Sequence, residues 1–279
     1  TLFPYTTLFR SFFDRGDAEA QATSLQNKGY DTFFRSSSAF STLGWFNDPL
    51  LSTTAQHDDC ALVDTVIHEL LHNTVWVKNN VPFNESLANF IGWQGAKRFF
   101  EQQFGADSKL AEESRIRSER ELQYALFLHE LIEELKILYK EGKKEGETLS
   151  LADTAALLAR RDELINTRIK AFKERVYPGV TNPKETVKIN NAVLLAQQTY
   201  LMEPWLFAKL LESCGGDLSR FIELIKILVK EIKDQKIDPY KHIKNYLAKQ
   251  PDERHQNQID SADPVKVPNQ GGDSNRISN

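Results

Sequence analysis

Beyond residue 59 the apolar residues of this chain recur with a 3.6-residue period in one segment after another, near 60–73, 85–104, 107–141, 151–176, 185–200, 204–213, 218–234 and 239–248. A chain with that period buries its apolar surface by packing helix on helix. The breaks fall where turn chemistry collects: the charged Gly142–Gly146 stretch, Pro178-Gly179 and Asn182-Pro183. Cys214-Gly215-Gly216-Asp217 ends one helix on glycine and caps the next with aspartate. Upstream the pattern differs. From Phe12 to Ser36 it reads strand, helix, strand, with Asp17 capping a helix over Ala18–Asn27 and Gly29 closing it. The β-prone Tyr30-Asp31-Thr32-Phe33-Phe34 follows, and Ser36 to Pro49 reads as loop. The fold expected is α+β and predominantly α-helical, with a small β element near the N-terminus.

Composition narrows the class. The 279 residues are 41% apolar and 27% charged, the profile of a globular protein with a sizeable core. A net charge of −4 and the lack of any Lys/Arg-rich stripe argue against nucleic-acid binding. No apolar run reaches the roughly 18 residues of a membrane-spanning helix. Cys60 and Cys214 are far apart in sequence and read as two ordinary buried thiols. One domain is expected over residues 12–248, and the Asp-, Asn-, Gln-, Ser- and Gly-rich composition of 249–279 predicts a disordered tail. Thr1–Ser11 reads as a translated sequencing-library adapter, to be set aside from fold reasoning. The natural chain is then expected to begin further upstream, so a missing targeting segment carries no information on localisation.

The chemistry concentrates in two stretches. In His68-Glu69-Leu70-Leu71-His72, a helix places the two histidines one turn apart, presenting both imidazoles to one point, as suits Zn²⁺. Glu69 lies beside them as a general base for a water molecule. On a helical wheel Leu62, Val63, Val66, Ile67, Leu70 and Leu71 fill the core half, and His68, Glu69 and His72 fall on the other. The bland alternative is a pair of satisfied core histidines. Glu85 supplies a third ligand if Asn84 caps the next helix, whose side bearing Glu85, Ala88, Gly92 and Ala96 is small enough for close approach. A first-turn glutamate favoured by the helix dipole is the competing account.

Further candidates are weaker in pattern. Asp64, one turn before His68, and Asn89, one turn after Glu85, are placed to orient a ligand imidazole or to stand as solvated polar residues. Tyr200 is a candidate donor to an oxyanion, or a buried tyrosine at a helix end. His57, His129, His242 and His255 read as surface histidines.

These stretches resemble a bacterial family of predicted zinc aminopeptidases. The resemblance runs from about Phe12 to Lys233 through Gly29-Tyr30-Asp31, Ser41-Thr42-Leu43-Gly44-Trp45-Phe46 with Asp48-Pro49, and His68–His72. It continues in Phe83-Asn84-Glu85-Ser86, Asn190-Asn191-Ala192 with Tyr200, and Cys214-Gly215-Gly216-Asp217-Leu218. It implies a zincin-like, gluzincin-type metallopeptidase with Zn²⁺ on His68, His72 and Glu85, acting on peptides. Asn84-Glu85-x-x-Ala88 is also similar to the third-ligand helix of thermolysin and aminopeptidase N. The interval from His72 to Glu85 is shorter than in those two groups. The Gly-x-Met-Glu-Asn segment that holds the substrate amine in aminopeptidase N is absent, Met202 being the only methionine. Exported or lipid-anchored members imply the cell envelope.

The expected activity is zinc-dependent peptide hydrolysis by an aminopeptidase, with Asp48, Asp58 and Asp59 as candidate holders of the substrate amine. A zinc endopeptidase is one alternative. A metal-bound but inactive peptide-binding scaffold is another, against which the intact Glu69 argues. Residues 30–36 are expected to pair with an extended peptide as an edge strand.

Overall fold

The computed structural model describes residues 12–34, 55, 57–142, 149–178 and 189–250. Among these, nine helices account for nearly all regular structure. They are α1 (Arg15–Gln26), α2 (Asp59–His72), α3 (Val81–Phe104), α4 (Lys109–Gly142), α5 (Leu151–Val176), α6 (Asn191–Tyr200), α7 (Pro204–Ser213), α8 (Leu218–Gln235) and α9 (Pro239–Lys249). None is long and apolar enough to cross a membrane.

Polar caps set the starts. Asp58 accepts the Ala61 amide ahead of α2, Ser150 the Asp153 amide ahead of α5, and Asp238 the Lys241 amide ahead of α9. After α7 the chain turns through Gly215 and Gly216 at φ 67° and 74°, a region open to glycine, and Asp217 then caps α8. At α1 the cap is Asp14 rather than Asp17, so the helix begins three residues earlier than Ala18.

The expectation of an α+β zincin-like fold with a β element near the N-terminus is overturned, because no strand exists among the described residues. The fold is mostly α. Tyr30–Phe34, read as β-prone, runs without regular structure. A strand needs a partner ladder, and this segment is fixed by side chains instead. Asp31 accepts from the Arg161 guanidinium at 2.8 Å and from the Asn191 amide at 3.2 Å, and the Thr32 carbonyl accepts from Asn190 Nδ2 at 3.2 Å. The edge strand expected for a substrate peptide is therefore not formed at residues 30–34. The expectations for Thr1–Ser11, for the loop from Ser36 to Pro49, for most of the Gly142–Gly146 break, for Asn182-Pro183 and for the tail beyond Gln250 fall outside the described residues.

Helix α3 is the hub. It packs against α2, α4, α6 and α7 and contributes Phe83, Leu87, Ala88, Phe90, Ile91 and Trp93 to the main core. Phe83 meets Phe207 and Tyr240 edge-on with ring centroids 5.7 and 5.6 Å apart, tying α3 to α7 and α9. The site-bearing helix pair thus rests on a continuous apolar body.

Candidate metal centre

Helices α2 and α3 lie closer together than ordinary side chains permit. A Cβ on Gly92 would stand 2.1 Å from Asp64 Oδ1 and 2.9 Å from the Asp64 carbonyl oxygen. One on Gly95 would meet Ile67 Cδ1 at 2.9 Å. The contact therefore runs through Gly92 and Gly95, where the sequence pattern pointed to Ala88, Gly92 and Ala96. It also turns α2 from its expected orientation. Val66 and Leu70, placed in the core half by the helical wheel, are 39% and 58% exposed. His72 and Leu71 are buried, and His68 and Asp64 turn towards α3. The face of α2 that meets its neighbour is mixed, Asp64 and His68 lying beside Ile67.

In that interface three side chains converge. His68 Nε2 lies 3.2 Å from His72 Nε2 and 3.2 Å from Glu85 Oε2, and His72 Nε2 lies 3.7 Å from Glu85 Oε1. Their side chains are only 12%, 6% and 16% exposed. Two donors bound at about 2.0–2.1 Å to a tetrahedral ion stand roughly 3.3–3.4 Å apart. The two imidazole nitrogens and the carboxylate oxygen fit that spacing, and the donor set is one that suits Zn²⁺. His72 engages the cluster through Nε2, while its buried Nδ1 has no hydrogen-bond partner. The Trp76 ring meets this imidazole edge-on with centroids 5.4 Å apart.

Burial and neighbouring charges shift the groups of this cluster in opposite directions. For His72, burial and then the neighbouring His68 push the imidazole below its ordinary range, towards the neutral form a ligand requires. At His68, burial pushes down, but the Glu85 hydrogen bond and the charges of Glu85, Glu69 and Asp64 outweigh it and lift the imidazole. Asp64 is driven up to about 7 by burial, against the pull of Arg117 and His68. Three carboxyl groups thus surround two imidazoles in a largely enclosed space.

The remaining candidates separate. Glu69 is half-buried on α2 beside His68, and its charge acts on that imidazole. Asn84 does not cap a helix. Asn80 does, accepting the Phe83 amide at 3.2 Å, with Pro82 in the first turn where a missing N–H costs nothing. Asn84 is instead buried in the second turn, bonded to both backbone groups of Val77. Asn89 Nδ2 donates to the Tyr200 carbonyl at 2.8 Å, bringing the end of α6 to within a turn of Glu85 along α3. Asp58 and Asp59 are exposed, Asp58 lying 3.4 Å from Arg117, and Asp48 falls outside the described residues. His129 packs edge-on against Trp205 and His242 lies 2.7 Å from Glu231, so neither is a free surface histidine. Cys60 is buried and Cys214 half-buried, and both are free thiols.

A family model described as "Putative aminopeptidase" matches residues 4–238. No curated protein and no solved structure matches the chain.

Proposed function

The chain belongs to this putative aminopeptidase family, and from that premise we propose that it is a zinc-dependent aminopeptidase of the gluzincin type. The observation that carries the reading is the convergence of His68, His72 and Glu85 at tetrahedral-edge distances, with Glu69 next in sequence to the first of them. His68 and His72 would hold the ion through Nε2, and Glu85 through its carboxylate. An ion held there would supply the Lewis acidity that makes water a nucleophile near neutral pH and polarises a carbonyl.

The chain's own residues do the rest. Glu69 accepts a proton from the attacking water and delivers it to the departing amine nitrogen, so one water is consumed as the C–N bond breaks. Tyr200, tethered through its backbone by Asn89, donates its phenol to the developing oxyanion. Enclosure by α2 and α3 holds the general base and the ligands in a low-dielectric space where their charges act strongly.

The test is Glu69→Gln, with zinc content and hydrolysis of free and N-acetylated peptides measured beside wild type. Zinc should be retained while turnover falls by about 10²–10⁴-fold, and wild type should cleave only the free-amine peptide. Equal turnover in both proteins would refute Glu69 as the base. Cleavage of the acetylated peptide would make the protein an endopeptidase, and zinc-loaded wild type without turnover would make it a binding scaffold.

A further inference from the structure

We infer that Asn84 is a positioning residue for the metal centre: its carboxamide clasps the Val77 backbone and so fixes the interval between His72 and Glu85. This rests on reading His68, His72 and Glu85 as ligands. The connection Asn73–Asn80 joins the two ligand helices directly, so its conformation decides where α3 begins relative to α2. Val77 donates its N–H to Asn84 Oδ1 at 2.8 Å, and Asn84 Nδ2 donates to the Val77 carbonyl at 2.8 Å. Engaging both backbone groups of one residue fixes orientation as well as distance, as a strand partner would. Asn84 is 2% exposed, so water does not compete for these bonds.

The clasp reaches both sides of the site. Asn84 precedes Glu85 on the same turn of α3, and Val77 follows Trp76, whose ring edge backs the His72 imidazole. Loss of the clasp frees the connection at the residue that supports one ligand and the turn that carries another. Ligand constellations need to be held within about 0.5 Å, and outer partners of metal ligands are typically worth 10–100-fold in affinity.

Ser86 provides the control. It too is fully buried next to Glu85, but its Oγ donates to the Met202 carbonyl at 2.8 Å, away from the Asn73–Asn80 connection. The experiment compares wild type, Asn84→Ala, Asn84→Asp and Ser86→Ala by zinc affinity in chelator competition, by the visible spectrum of the cobalt(II)-loaded protein, and by the melting point without metal. Both Asn84 variants should bind zinc about 10–100-fold more weakly and show a shifted cobalt spectrum. Ser86→Ala should melt lower yet keep the wild-type affinity and spectrum. Asn84→Asp retains the size and the acceptor for the Val77 amide, so it reports even if the alanine variant does not fold. In wild type, zinc should also slow hydrogen exchange at the Val77 amide, since coupling between the two is reciprocal. Unchanged zinc affinity and cobalt spectrum in an Asn84 variant, or an unchanged Val77 exchange rate, overturn the inference. Wild type that binds neither metal would instead remove the ligand reading, and the inference with it.

Discussion

Asn89 stands one turn past Glu85, where a carboxamide is placed to orient a ligand imidazole, yet its Nδ2 is committed to the Tyr200 carbonyl. That bond moors the end of α6 to α3. Asn89→Ala should therefore lower stability by roughly 1 kcal/mol, the usual worth of such a bond, and leave zinc content unchanged. Urea titration and metal analysis of the same preparation check both halves, and a loss of zinc would return Asn89 to the ligand surroundings. The pairing of His68 and His72 is legible because one-turn spacing on a helix is fixed by backbone geometry, whereas Glu85 joins them from a second helix through the packing of that helix pair. Asn84 was misread because Asn-Glu ahead of an apolar run imitates a helix start, while the better signal was Asn80 followed by Pro82. The bond from Asn89 to Tyr200 spans 111 positions, and no local pattern encodes it.

Among the elements, the α2–α3 pair is the one that carries the His68, His72 and Glu85 cluster. Its close approach depends unequally on two glycines. The Cβ of Gly92→Ala would meet a backbone oxygen as well as a carboxylate, whereas that of Gly95→Ala would meet only the Ile67 side chain, which can yield. Gly92→Ala should cost about 1–3 kcal/mol and Gly95→Ala clearly less, read as shifts in the urea midpoint. Equal costs would mean that the helices can slide apart freely. Periodicity locates most of the helices within a few residues, since apolar spacing is a property of each segment alone, but the segment near 185–200 is helical only from Asn191 among the described residues. On α2 the apolar half holds for Leu71, Ile67 and Val63, which reach the core, but not for Val66 and Leu70, because two imidazoles and a carboxylate that satisfy one another share the covered side. The N-terminal β element failed for a related reason. Tyr30–Phe34 has strand-like residues, but what it docks against is a set of polar groups from distant helices.

Across the whole molecule, the proposed ligands straddle two helices of one core, so metal binding there should report on global stability. Zinc at about 100 times its dissociation constant should stabilise the fold by roughly 2.7 kcal/mol. A calorimetric melt should show the corresponding rise for wild type and none for His72→Ala; a matching rise in the variant would place the bound zinc elsewhere. The anchoring of the Tyr30–Phe34 segment carries a different consequence, one of timing. Asp31 takes its bonds from Arg161 and Asn191, which lie 130 and 160 positions later in the chain. At about 5–20 residues per second of synthesis, Asp31 is joined to the chain roughly 8–32 seconds before Asn191 is added. Until then the Tyr30–Phe34 segment lacks part of the polar set that fixes it in the finished protein.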